Sequence, residues 1–115
     1  QMGDAGVVAQ RYALILFGNH QRMELQPWQP ETERTVTVPF PWEPDTWYRL
    51  KLRVENLEDG RVRALGKAWP VDEHEPQEWL IDRIDPLPNR SGSPGIYSDA
   101  QHEVFFRNLE VRPNQ

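Results

Sequence analysis

Apolar and polar residues alternate along most of this chain with the two-residue period of a half-buried strand. The plainest case is residues 47–55, where Tyr48, Leu50, Leu52 and Val54 share one side and Trp47, Arg49, Lys51, Arg53 and Glu55 the other. A helix would scatter those apolar residues around its circumference, so a strand is predicted. Asp59-Gly60 follows as a hairpin turn of the kind that needs positive φ. Residues 61–70 return, with Val62, Ala64 and Ala68 facing in and Arg63, Lys67 and Trp69 facing away. Residues 22–28 alternate Met23 and Leu25 with Arg22, Glu24 and Gln26, and residues 35–40 are a β-branched alternating run. Residues 7–17 set Tyr12, Leu14 and Leu16 against Ala13, Ile15 and Phe17. Both sides are apolar there, which predicts one central strand covered on two faces. Shorter runs at residues 79–84, 95–97 and 103–111 complete the set, the last with a register change near Arg107-Asn108.

The punctuation between these runs argues against helix. Eleven Pro and seven Gly are scattered through the chain, and Pro in a helix interior costs about 3 kcal/mol. The long Pro-free windows at residues 1–26 and 45–69 both read as strands. Residues 18–20 and 41–45 read as turns, and residues 71–77 and 85–94 as longer loops. With 115 residues there is material for one core and not for two. The expectation is a single all-β domain over residues 1–115, an antiparallel β-sandwich or jelly roll.

Charge narrows the partners. Thirteen Lys and Arg stand against eighteen Asp and Glu, a net charge of −5 without a long basic run. Nucleic acid and anionic membranes are therefore not expected as main partners. The absence of cysteine removes disulfides, thiolate catalysis and cysteine zinc sites, and leaves the compartment open. No apolar stretch approaches the roughly 20 residues of a membrane helix, so no membrane insertion is expected. No hydrophobic leader follows Gln1, which suggests a processed product or the C-terminal part of a longer chain.

One order of motifs resembles a known family. Trp47-Tyr48-Arg49-Leu50-Lys51-Leu52-Arg53-Val54 is followed by Gly60, by Gly66-Lys67-Ala68-Trp69-Pro70, and by Glu75-Pro76 with Trp79. Then come Gly92-Ser93-Pro94-Gly95-Ile96-Tyr97 and Val104-Phe105-Phe106-Arg107-Asn108-Leu109-Glu110-Val111. This succession is similar to the second half of concanavalin A-like (laminin-G-like) lectin and glucanase sandwiches. It is especially similar to versions at the C-terminus of bacterial extracytoplasmic proteins with PQQ-type β-propeller repeats. Residues 4–12 resemble the middle of those domains. The resemblance implies a periplasmic or extracellular module with additional strands before Val7; if those strands are missing here, it implies an open edge or a pairing supplied by a partner. It also implies an Asp that helps bind calcium in some relatives. Arg107 stands in that place, against a calcium site.

Catalysis finds little to work with. Glucanases of this fold carry paired carboxylates on alternate residues of one strand; the nearest pair, Glu31 and Glu33, lies in a turn after Pro30. Ser91 and Ser93 sit in a loop without a nucleophile elbow, and His20, His74 and His102 are too far apart in sequence to suggest a metal site. The acidic residues 72–78 lack the ligand alternation and central glycine of a calcium loop and read as a solvated, proline-stiffened connection. No catalytic residue, metal or cofactor is expected.

The outer strand faces carry the best candidate site. Trp47, Arg49, Lys51 and Arg53 share one face of a strand, and Lys67 and Trp69 the matching face of its hairpin partner. Sugar recognition uses flat aromatic surfaces for C–H faces and cationic donors for hydroxyls or carboxylates. A cationic face on an acidic protein favours glycans bearing uronate or sulfate. The competing reading covers this face with other chain and pairs its arginines with Glu24, Glu55 or Glu103. Trp28 and Trp42, among prolines, are loop candidates for binding or for plugging an end of the sandwich. The expected function is thus a non-catalytic accessory module that binds carbohydrate or docks on other domains or chains of a larger protein. The alternatives are part of a sugar-acting hydrolase, of glucanase or keto-disaccharide hydrolase type, and a purely structural assembly domain.

Overall fold

The computed structural model describes residues 4–9, 12–18, 20–27, 35–43, 46–85, 95–99 and 111, with backbone alone for 96–99. Among the described residues there are eight strands: β1 (Asp4–Ala9), β2 (Tyr12–Phe17), β3 (Arg22–Pro27), β4 (Val36–Pro39), β5 (Tyr48–Asn56), β6 (Val62–Pro70), β7 (Ile81–Asp85) and β8 (Gly95–Asp99). Among the described residues there is no helix, hence none long and apolar enough to cross a membrane. All pairings are antiparallel and form two sheets, β4-β3-β2-β1-β8 and β5-β6-β7.

The run expected as one strand at residues 7–17 is a hairpin instead. Ala9 faces Tyr12 across β1 and β2, so the chain reverses between them. Gln10-Arg11 carries none of the Gly, Pro or Asn that announce a turn, which is why the period-two pattern read straight through it. The strand expected at residues 103–111 lies outside the described residues except for Val111. The N-terminal strand is not an open edge, because β1 pairs with β2 on one side and β8 on the other.

The two sheets meet through complementary sizes. Tyr12, Leu14, Leu16, Met23 and Leu25 from the larger sheet pack with Val54, Val62, Ala64, Ala68 and Ile81 from the smaller. The inner face of β6 is small, and a Cβ added to Gly66 would lie 2.6 Å from a Leu14 methyl, so this face lets the layers close on Leu14. One buried polar tie crosses the core: the Tyr12 hydroxyl donates to Asp85 Oδ2 at 2.6 Å. Where the chain passes from β4 to β5, Phe40 and Trp42 both meet the Tyr48 ring edge-on. Within the smaller sheet, Leu57 and Arg61 close a three-residue loop whose last member, Gly60, has φ 93°, as the Asp-Gly pair predicts.

Candidate functional site

The outer face of the smaller sheet is set by β5–β6 register. Arg49 faces Trp69, Lys51 faces Lys67, Arg53 faces Leu65 and Glu55 faces Arg63. On the far side Leu65 faces Asp82, whose carboxylate takes two hydrogen bonds from Arg63 at 2.8 and 2.6 Å. That contact holds the Asp82 carboxyl below the usual carboxylate range.

Lys51 directly opposite Lys67 is an unfavourable like-charge pair unless an anion joins them. Residues 71–80, the connection from β6 to β7, bring that anion as a strap across the face. Glu75 Oε2 lies 2.9 Å from Lys51 Nζ and 2.8 Å from Lys67 Nζ, so one carboxylate oxygen bridges both ammonium groups. Bonds from Lys67 first and Lys51 second hold the Glu75 carboxyl below its ordinary range. Lys67 also donates to the Pro76 carbonyl at 2.6 Å, and its Nζ sits 4.4 Å from the Trp79 ring centre and 5.8 Å from that of Trp69. Burying an ammonium costs free energy unless donors and charge are matched. Here three kinds of partner converge on it, and Lys67 is only 4% exposed.

The strap therefore divides the predicted face in two. On β6, Lys67 and Trp69 do point away from the core as expected, yet both are buried, Trp69 to 7%. Leu65, on the same row between Arg53 and Asp82, is buried as well. Along β5 the face is open. Trp47 is 42% exposed, Arg49 and Lys51 are exposed and Arg53 is half-buried. Arg53 keeps a 3.7 Å contact with Glu55, the pairing anticipated for the covered face. Glu24 pairs with Arg22 at 2.6 Å on the other sheet.

Trp42 is half-buried, and its indole N–H donates to the Phe17 carbonyl at 3.1 Å. It closes a corner of the sandwich. Trp28, Glu31, Glu33, Ser91, Ser93, His102, Glu103 and Arg107 lie outside the described residues. His20 and His74 are exposed, and no group of three or more His, Cys, Asp or Glu among the described residues is placed to hold a metal ion.

Sequence reading missed Glu75 and Trp79 as part of this face. The signal was present: residues 51 and 67 are equidistant from Asp59, so the hairpin sets them opposite, and the nearest acidic segment is the one that follows. What was read as a solvated loop is largely exposed but anchored at Glu75 and Pro76. No family model, curated protein or solved structure matches this chain.

Proposed function

We propose that this chain is a non-catalytic accessory module of a larger extracytoplasmic protein, binding acidic carbohydrate along the outer face of β5. One observation carries the reading: an exposed indole, Trp47, continues in line with Arg49, Lys51 and Arg53 on a face of an otherwise acidic protein. An indole accepts the C–H face of a sugar ring, and cationic groups two residues apart along a strand, Arg49, Lys51 and Arg53, meet successive anionic groups of an extended polymer. Arg49 has no ion pair among the described residues, which leaves its donors to a ligand.

A jelly roll of the concanavalin A-like kind belongs to the same proposal. Its support is the two-layer antiparallel arrangement and the return of β8 to the side of β1 after the chain has left for the other sheet. Location in the periplasm or outside the cell rests on the sequence resemblance. Docking on another domain is a second reading, favoured by exposed Leu80 and Ile84 at β7, the outer strand of the smaller sheet.

The test is retention on an array of acidic and neutral glycans, with circular dichroism on every variant. Trp47→Ala and Arg49→Gln are each expected to weaken retention of acidic glycans roughly ten-fold, the loss of one or two good contacts, with the β-sheet spectrum unchanged. Trp69→Ala removes a buried side chain and is expected to lower stability instead. Undiminished retention in both Trp47→Ala and Arg49→Gln would remove β5 from the binding site.

A further inference from the structure

Glu75 presents a carboxylate to a lysine pair whose geometry suits an acidic ligand equally well. We infer that Glu75 occupies the carboxylate subsite of a uronate-binding site, and that the strap of residues 71–80 is displaced when the polymer binds. This rests on the carbohydrate reading and names its ligand class and its gate.

Three observations lead there. The first is the bridge itself: one oxygen of Glu75 between Lys51 Nζ and Lys67 Nζ, at 2.9 and 2.8 Å. The second is the surround. Trp79, carried on the strap, lies 4.4 Å from Lys67 Nζ and 5.8 Å from Lys51 Nζ, while Trp69, fixed in β6, flanks Lys67 at 5.8 Å and stays in place when the strap leaves. A lysine pair with the Trp69 indole beside it is the chemistry a uronate needs, its charge on the ammonium groups and its ring against an aromatic face. The third is how lightly the strap is held. Its backbone hydrogen bonds outside the strands are Val71 to the Trp47 carbonyl and Glu73 to the Pro70 carbonyl, both at its beginning. Beyond them the described anchors are Glu75, the Pro76 carbonyl and Trp79, and the Glu75 and Lys51 side chains are 43% and 49% exposed. The half-exposed Lys51–Glu75 pair contributes little and is screened by salt, whereas Lys67, its side chain 5% exposed, requires that whatever displaces Glu75 take over its pairing. A polymer already engaged along Trp47, Arg49 and Arg53 would deliver its next carboxylate at high local concentration, and exchange with Glu75 keeps both lysines paired throughout.

The experiment measures binding of the full chain to polygalacturonate, to its fully methyl-esterified form and to polyglutamate. Glu75→Gln is expected to tighten polygalacturonate binding about five-fold by removing the tethered competitor, with the methyl ester unaffected. Adding Lys51→Gln to Glu75→Gln should abolish the gain. If the unaltered chain binds polygalacturonate and Glu75→Gln binds it no better, the gate is wrong while the carbohydrate reading stands. An equal gain for polyglutamate overturns the uronate class in favour of a general anion site. Failure of both folded proteins to bind any sugar polymer overturns both readings together. Should Glu75→Gln unfold because Lys67 loses its counterion, the unaltered chain still decides the matter. Polygalacturonate is expected to accelerate cleavage by a glutamate-specific protease after Glu73 and Glu78, and protection or an unchanged rate overturns displacement of the strap.

Discussion

Gln21 holds a left-handed backbone, φ 52°, where glycine is the ordinary choice. Its own amide keeps it there. Nε2 donates to the Gly18 carbonyl at 2.7 Å, Oε1 accepts from the Trp42 amide at 2.8 Å, and its main-chain oxygen accepts from Phe40 at 2.9 Å. One side chain thus shapes the β2–β3 turn and fastens the β4–β5 crossing to it. Gln21→Ala keeps the strained backbone and loses both amide bonds, an expected cost of about 1–3 kcal/mol. Gln21→Gly loses the same bonds but relieves the backbone, so urea unfolding should rank it above Gln21→Ala. The reverse order would mean that residue 21 does not hold the left-handed backbone in solution. The turn at residues 18–20 was legible from Gly18-Asn19; the glutamine at its end was not, because no local pattern marks an amide that reaches twenty-one residues along the chain.

The strands differ in how much addition their close approaches tolerate. A Cβ on Gly6 would run into the Leu14 carbonyl oxygen and come within 2.9 Å of the Ile15 Cα, both backbone of the partner strand. A Cβ on Gly66 meets only the tip of the Leu14 side chain, which can turn aside. Overpacking typically costs 1–3 kcal/mol, and Gly6→Ala is expected near the top of that range and Gly66→Ala near its foot. Chemical denaturation of the two variants checks the ranking, and equal stabilities would show that β1 and β2 do not approach so closely at Gly6. Element positions from β3 to β8 were legible within a residue or two because their faces alternate and their turns carry Gly, Pro or Asp. The first hairpin failed that reading for the reason that makes β2 central: Leu14 and Ile15, on opposite faces, are both buried, so alternation cannot mark where one strand stops.

At the scale of the whole molecule the exposed carboxylates couple stability to pH. Asp59, Glu75 and Asp82 each have a lowered pKa, caused chiefly by side-chain hydrogen bonds from Arg61, Lys67 and Arg63 respectively. A carboxyl lowered in the folded state binds fewer protons there than in the unfolded chain. Its contribution is therefore complete above the ordinary carboxylate range and is lost as pH falls through the folded value. The triple variant Asp59→Asn, Glu75→Gln, Asp82→Asn should accordingly be less stable than the parent near neutrality. The gap is expected to narrow between about pH 5 and pH 3, measured as urea midpoints across that series. A gap of constant size would mean that these contacts do not persist in solution. The packing of the layers on one another rests instead on the apolar contacts between β2, β3 and β6.

Alternation and turn chemistry were enough to determine an all-β chain with a cationic, indole-bearing row on β5, because both are local: a side chain's face follows from the parity of its position. Tertiary structure alone decided how that row is used. Whether Lys67 and Trp69 meet solvent depends on the path of residues 71–80 over the sheet, and that path is chosen by charge neutralisation between residues 24 apart in sequence for Lys51 and 8 apart for Lys67. Parity carries no information about such a crossing. The energy that selects it arises only once the hairpin has set two like charges face to face.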